Sequence, residues 1–439
     1  MGEQRISEKA PDEGEKSIYS EKVPIDYFNN ILNDKEKIEI RKETPKDGYI
    51  VIYGLSTEGY EIAKKIIQEQ SKVIIIDENS RLGIVLTPEI VKEYSSINSL
   101  TDEEPLLNLE PFDKAIVNAP VIFFAPRIRK INQEVKNEII QKFKELITYL
   151  SKNTVIVVNV PLGVGGNTEI ITLIEHQSGL MVGTDILYYY IPITFYNSSP
   201  EATIVGSYQQ TDTDLSTNRI LNLAGKNDYF KIDRKVGSIV SAELNHAINV
   251  ITKYSSLTCI NEISRLARLR EDKKEILNET KKHVYFDEIA SGLFDLRIIN
   301  HSLSSSAALS YLVNGTIKSI EGFVKSLVDE TRTQLKMREI KASRTKVTIV
   351  WTIDNHEIRG DKTILRELLE SKLRDYIAEV EIQDAENYIP NSLNNIIIAC
   401  SNLDQTKIID RMKIIVNQHH PNYKIIVISA NSTFDTIEI

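Results

Sequence analysis

The run Tyr49-Ile-Val-Ile-Tyr53, the turn Gly54-Leu55-Ser56-Thr57-Glu58-Gly59 and the run Lys72-Val-Ile-Ile-Ile76 closed by Asp77 decide the fold. A short apolar run ended by glycine reads as a buried strand. The spacing from Glu58 to Gln70 predicts a helix, and Lys72 to Ile76 a second strand. In a dinucleotide-binding turn the first glycine makes the bend and the second admits the pyrophosphate. The third lets the helix pack closely, and an acid ending the next strand takes a ribose hydroxyl. Gly54 and Gly59 fit the first and third positions, Asp77 fits the acid, and Ser56 stands where the second glycine belongs. The pattern predicts a cofactor pocket built from Gly54, Gly59 and Asp77. A Cβ at Ser56 and a carboxylate at Glu58 are expected to crowd and repel the phosphates, leaving NAD binding weak or absent.

Outward from this turn, Val121 to Phe124 and Thr154 to Val158 read as further strands, with a helix from Asn132 to Leu150 between them. Continuous apolar strands alternating with helices predict a parallel sheet covered on both faces. Between about Asp233 and Lys336 the strands are expected to stop. Ser241 to Leu269 (Leu244, Ala247, Ile248, Ile251) and Ser305 to Leu335 (Leu309, Leu312, Ile317, Phe323) carry apolar residues at helical spacing. Helices apolar on more than one face serve a dimer interface as well as a core. From Lys346 a second α/β unit begins, with strands at Lys346 to Trp351, Glu379 to Ile382, Asn395 to Ala399 and Tyr423 to Ile428. The expected architecture is α/β, with two Rossmann-like domains with parallel sheets joined by a long helical dimerisation region. The parts are a charged N-terminal extension (1–47, with a helical stretch from Tyr27 to Lys42), a first domain (48–232), a helical middle (233–340) and a last domain (341–439). The extension is read either as a partly disordered charged segment or as one that docks on a protein partner.

Composition narrows the class. The 439 residues exceed one compact core, and 41% hydrophobic with 26% charged residues is ordinary for a globular chain. A net charge of −9 argues against a nucleic-acid partner, whose binding rests on phosphate neutralisation. The basic cluster Arg265, Arg268, Arg270, Lys273 and Lys274 is interleaved with Glu271, Asp272 and Glu275 and reads as a solvated helix face. Two cysteines make no disulfide framework, and neither they nor the seven histidines, with only His419 and His420 adjacent, form metal-ligand spacings. No apolar run reaches the roughly 18 residues of a membrane helix, and Met1 to Ser7 begin no signal core. The reading is a cytoplasmic protein with no membrane and no metal. Gly163-Val-Gly-Gly166 lacks the lysine of a phosphate loop, and Ser304-Ser-Ser306 before Ala307 reads as a helix start, not a nucleophile elbow.

Several stretches share an order with one family. Phe112 to Pro126 carries a strand ending in an Ala-Pro turn. Asn159-Val-Pro-Leu-Gly163 precedes Thr168-Glu169, and Ser178 to Asp185 leads to Pro192. Ala242-Glu243 and Asn261-Glu262 bracket a helix, and Glu357-Ile-Arg359 and Asp384 follow in the last unit. In order and spacing these resemble the motifs of the UDP-glucose/GDP-mannose dehydrogenases, also called nucleotide-sugar dehydrogenases, from about Tyr49 to the C-terminus. The resemblance implies two Rossmann-type domains with a helical dimerisation region. It also implies oxidation of a sugar alcohol to a carboxylate with two NAD molecules through a cysteine thioester, and makes Arg359 a substrate-binding position for a nucleotide sugar.

The departures fall on the chemistry. Aligned on Asn261-Glu262, the family's lysine falls on His246 and its asparagine on Val250, and Ile193 follows Pro192 where a glutamate belongs. The glycine-rich cysteine loop is expected near Ala290 to His301, which holds no cysteine. A thioester route needs an activated thiolate. Cys259 reads as a small buried residue of the long helix, Cys400 as the end of a strand, and His246 as a hydrogen-bonded structural histidine. No catalytic residue is assigned. The expected function is a catalytically inactive, dehydrogenase-like homodimer that binds, scaffolds or regulates. The alternative is an active NAD-dependent oxidoreductase on a UDP-sugar or a simpler alcohol.

Overall fold

Ile50–Tyr53 (β1) is buried at all four residues because helices cover both faces of its sheet. In this computed structural model, residues 48–438 are described except 69–71, 103–106, 131–133, 194–204, 209–235, 269–282, 304–305, 390–393 and 419–423. The extension 1–47 with its expected helix, the His419-His420 pair, and Arg270, Lys273 and Lys274 of the basic cluster lie outside the described residues.

The first sheet adds β2 (Val73–Asp77), β3 (Leu82–Leu86), β4 (Leu109–Pro111), β5 (Val121–Phe124), β6 (Thr154–Val158), β7 (Ile186–Tyr190), β8 (Val205–Ser207) and β9 (Val236–Ser238). Its order is β4-β3-β2-β1-β5-β6-β7-β8-β9. The five central strands are parallel, and Val51 pairs with Ile74 on one side and Ile122 on the other. β3 and β4 extend one edge antiparallel, and β8 runs antiparallel to β7 at the other. The sheet is therefore mixed at its edges, and a strand persists at Val236–Ser238, inside the block expected to be all helical. Strand order reverses between β1 and β5, the point beside which α/β sheets form their crevice.

The covering helices are α1 (Thr57–Gln68), α2 (Pro88–Glu93), α3 (Ile97–Asp102), α4 (Phe112–Val117), α5 (Glu134–Ile147) and α6 (Gly166–Ser178). In α5, Val135, Ile139, Phe143 and Leu146 recur at three- and four-residue steps and all are buried.

The middle consists of α7 (Ile239–Arg268), α8 (Phe286–Ala290), α9 (Leu293–Ser302) and α10 (Ala307–Met337). Ser255 meets Thr316 and Arg265 meets Ser326, each pair 61 positions apart, so α7 and α10 run side by side in the same direction. The second sheet, order β11-β10-β12-β13-β14, comprises β10 (Thr345–Val350), β11 (Glu379–Gln383), β12 (Asn394–Ala399), β13 (Lys424–Ser429) and β14 (Thr436–Glu438). It is parallel except for β14 and carries α11 (Asp361–Arg374) and α12 (Asn402–Gln418). Phe286 stacks on Phe323 at 5.1 Å and tilts against Trp351 at 4.9 Å, which joins the helical middle to this sheet through one aromatic core. Among the described residues no helix is long and apolar enough to cross a membrane.

Candidate functional site

The first strand-to-helix turn has the expected backbone. Gly54 sits at φ +124°, and a Cβ there would meet Ala125 O at 2.3 Å and Pro126 Cα at 2.4 Å, so only glycine fits. A Cβ on Gly59 would lie 2.9 Å from Gly54 O and 3.0 Å from Ile52 Cγ2, the close helix-to-strand approach of a third-position glycine. Ser56, expected where the second glycine of such a turn belongs, is packed into the turn. It is fully buried, its hydroxyl donates to Ala125 O at 2.6 Å, and it accepts from Gly59 N at 3.1 Å. A short polar side chain is tolerated there because it ties the turn to the end of β5.

What fills the crevice is the protein itself. Leu55 N donates to Glu78 Oε2 and Arg127 N to Glu78 Oε1, both at 2.9 Å. Glu78 is buried and also faces Arg127 Nε at 3.5 Å and Lys142 Nζ at 3.6 Å. At the first position of α1, Thr57 N donates to His356 O at 2.9 Å, and Thr57 Oγ1 donates to Asp354 Oδ2 at 2.5 Å. These are groups that a helix start ordinarily turns toward a bound anion. Asp77 is half-exposed and caps its own turn, accepting from Asn79 N at 3.1 Å and Ser80 N at 3.3 Å, with Arg127 Nη2 at 3.5 Å. The residue that sequence reasoning missed is its neighbour Glu78. Its only sequence signal is a second acid beside the strand-ending aspartate.

The segment Asp354–Arg359 from the second α/β unit lies directly against this turn. Ile128 N donates to Ile358 O at 2.8 Å, and Ile128 bridges to Arg359 in parallel register. Arg129 reaches across with Nη2 donating to Asn355 O at 2.5 Å and Glu357 O at 2.8 Å. His356 Nδ1 lies 2.6 Å from Asn98 Oδ1. Glu58, expected beside the phosphates, is buried and turned into this seam, where both its oxygens accept from Ile358 N at 3.1 and 3.0 Å. Burial pushes its carboxyl up to about 8, and burial likewise raises Glu357 and lowers the Arg129 guanidinium.

Beneath the seam, Arg359 is buried, with Nε and Nη2 donating to Asp295 at 2.9 and 3.0 Å, Nη2 also donating to Ile193 O at 2.5 Å, and the ring of Phe294 at 5.9 Å. The Asp295 charge holds the guanidinium above its ordinary value despite burial. His246, on α7, lies with Nε2 3.6 Å from Asp295 Oδ2. Neither ring nitrogen makes a hydrogen bond, against the expectation of a hydrogen-bonded histidine, and burial lowers its pKa to about 4. Glu243 accepts from Gly165 N at 2.8 Å and Asn167 N at 3.0 Å, so a carboxylate of this chain also caps the start of α6. Leu293–Ser302 is helical, where the family resemblance puts a glycine-rich loop. Cys259 is exposed on α7, correcting the expectation that it is buried. Cys400 is buried at the end of β12, and burial drives its thiol well above the ordinary range, which disfavours a thiolate. Among the described residues no group of three or more His, Cys, Asp or Glu is placed to hold a metal ion.

Two mostly parallel sheets bridged by long helices, with a glycine turn beside the switch point of the first, define a two-domain Rossmann-like architecture. Solved structures of nucleotide-sugar dehydrogenases are among those that share it. A UDP-D-ManNAc dehydrogenase of Pyrococcus horikoshii matches with a TM-score of 0.57 at 12% identity, over 88% of this chain and 96% of that one. A UDP-glucose dehydrogenase of Pyrobaculum islandicum matches with a TM-score of 0.55 at 12% identity, over 89% and 95%. An NDP-N-acetyl-D-galactosaminuronic acid dehydrogenase of Methanosarcina mazei matches with a TM-score of 0.50 at 12% identity, over 84% and 90%. No protein-family model and no curated protein matches the sequence.

Proposed function

We propose that this chain is a catalytically silent relative of the nucleotide-sugar dehydrogenases, a binding, scaffolding or regulatory homodimer that retains their body without their reaction. One observation carries the reading: the amides of Leu55 and Thr57 at the start of α1 are taken by Glu78 and His356 of the same chain. A dinucleotide pyrophosphate needs these amides and room beside them. It meets instead a buried carboxylate and the backbone of Asp354–Arg359, so the residues present do not fit NAD. In the same way Arg359, spent on Asp295 and Ile193, offers its bonded nitrogens to no nucleotide sugar. The buried Cys400, whose thiol burial pushes up, and the exposed Cys259 in the middle of α7 fit a chain without a thioester step.

In this reading the chain divides into an extension (1–47) that recruits a protein partner, a first Rossmann-like domain (48–232), a helical middle (233–340) and a last Rossmann-like domain (341–439). The dimer forms through the middle. Val240, Leu244 and Ile248 are exposed on successive turns of α7, and the parallel offset of α7 and α10 brings the exposed Leu309 level with Ile248, with Leu312 about one turn further on. The test is turnover. The purified protein incubated with NAD and UDP-glucose, UDP-N-acetylmannosamine or GDP-mannose is expected to form no NADH; NADH formation from any of them overturns the reading, and its survival in Cys259→Ser and Cys400→Ser shows a route without a thiol.

A further inference from the structure

The exposed apolar face of α7 does not stop at Ile248. Ile263, 44% exposed, and Leu266, 60% exposed, continue it toward the far end of the helix. Thr252, Ser256 and Cys259 fill the turns between and are exposed as well. The stripe thus advances in steps of four or three residues from Val240 to Leu266 and carries no charge. In a chain with 26% charged residues, a surface helix with so long an uncharged face is marked for contact. The stripe also reads alike from either end. About a midpoint beside Tyr254, the apolar Val240, Leu244 and Ile248 mirror Leu266, Ile263 and Cys259, and small Thr252 mirrors small Ser256.

A feature of α10 marks the same midpoint. Thr316 meets Ser255, so Gly315 lies level with Tyr254. Gly315 is exposed within a 31-residue helix, and a Cβ built on it meets nothing within 4 Å. Gly322, two turns further on, is open in the same way. Glycine is the poorest helix former after proline, and packing inside this chain does not call for it here. The close approach of another backbone does.

We propose that a second copy of this chain covers this face, with α7 packed antiparallel on its partner's α7 about a two-fold axis beside Tyr254. This rests on the homodimer reading above and fixes its geometry. A two-fold helix pair sets each residue against one at the mirrored place in the stripe, which is the pattern seen. Ile248 then meets the partner's Cys259, and Leu244 the partner's Ile263. Thr252, Ser256 and Gly315 lie at the axis, where small residues let the helices close up. From Val240 to Leu266 α7 runs about 39 Å, and with α10 beside it the face is roughly 20 Å wide. That is roughly the 800 Å² per partner that a stable interface buries.

Disulfide trapping on the native Cys259 tests the register, since Cys400 is buried. In the antiparallel pair the two copies of Cys259 stand about eleven residues apart along the axis, roughly 16 Å, beyond disulfide reach. The oxidised wild type is therefore expected to stay uncross-linked on non-reducing gels. Ile248→Cys is expected to run as a covalent dimer, and Ile248→Cys with Cys259→Ser is not. Leu244→Cys with Ile263→Cys, in a Cys259→Ser background, is a second pair expected to cross-link. Light scattering of the same proteins under reducing conditions separates the register from the reading beneath it. A monomeric wild type overturns both the register and the homodimer. A dimer that cross-links through Cys259 alone, or in which neither designed pair cross-links, overturns the register only. Gly315→Leu has room in the single chain and is expected to return the mass of one chain. A dimer unchanged by it overturns the placing of the axis.

Discussion

Ile358 N donates to both carboxylate oxygens of Glu58, at 3.1 and 3.0 Å, across 300 positions of sequence. This contact joins the start of α1 to the loop that opens the second α/β unit, and its carboxyl is one that burial has shifted to about 8. An acid whose folded-state pKa is raised holds a proton that the unfolded chain releases at an ordinary 4.5. Its contribution is present below about 4.5 and is lost as pH rises through about 8. His356, beside it, is lowered by burial, so its effect is complete once pH exceeds its ordinary 6.5. Between about pH 7 and pH 9 the wild type is therefore expected to lose roughly 1–2 kcal/mol of stability, a loss that Glu58→Gln largely abolishes. Denaturant unfolding at the two pH values checks it. A stability that is flat over this range, or the same slope in Glu58→Gln, contradicts the assignment.

Arg359 and Asp295 form a second long-range pair, buried on both sides. Arg359→Leu leaves a buried aspartate without its partner and is expected to cost about 3–5 kcal/mol. Arg359→Leu combined with Asp295→Leu is expected to recover most of this, because the uncompensated charge is gone. A single substitution costing under about 1 kcal/mol in denaturant unfolding, the range of an exposed ion pair, rules out the clamp.

The stripe of Val240, Leu244 and Ile248 gives the dimer its test. Light scattering of the wild type is expected to return twice the 49.9 kDa chain mass, and Leu244→Asp with Ile248→Asp the mass of one chain. A wild type at 49.9 kDa at micromolar concentration contradicts the interface.

The first turn shows where sequence reading reaches and where it stops. Gly54 and Gly59 were legible because their need is local: a left-handed φ in one case and a close helix approach in the other. Most parallel core strands were legible as unbroken apolar runs, but β7 was not, its Ile186-Leu-Tyr-Tyr-Tyr190 going unread. The edge strands β3 and β4 were not, since Leu82–Leu86 is interrupted by a glycine and Leu109–Pro111 ends in a proline. The occupants of the crevice were illegible for a different reason. Glu78 looks like a surface acid beside Asp77, and Glu58 like a charge aimed at a ligand. Only the folded chain brings His356, Ile358 and Arg127 to them. Likewise, the helical form of Leu293–Ser302 follows from burying Leu293, Phe294, Leu296, Ile298 and Ile299, a pattern masked by Asp295 and Arg297, which are buried with partners of their own.

The central claim is that the chain's own groups occupy the place of a dinucleotide, and titration calorimetry with NAD tests it most directly. The wild type is expected to give no saturable heat at millimolar NAD. Glu78→Ala, which frees the Leu55 and Arg127 amides, combined with Thr57→Ser and Asp354→Ala to loosen the loop above, is expected to gain weak, millimolar-range binding of about −4 kcal/mol. Saturable binding of NAD to the wild type, with affinity unchanged or lost in that variant, contradicts the account.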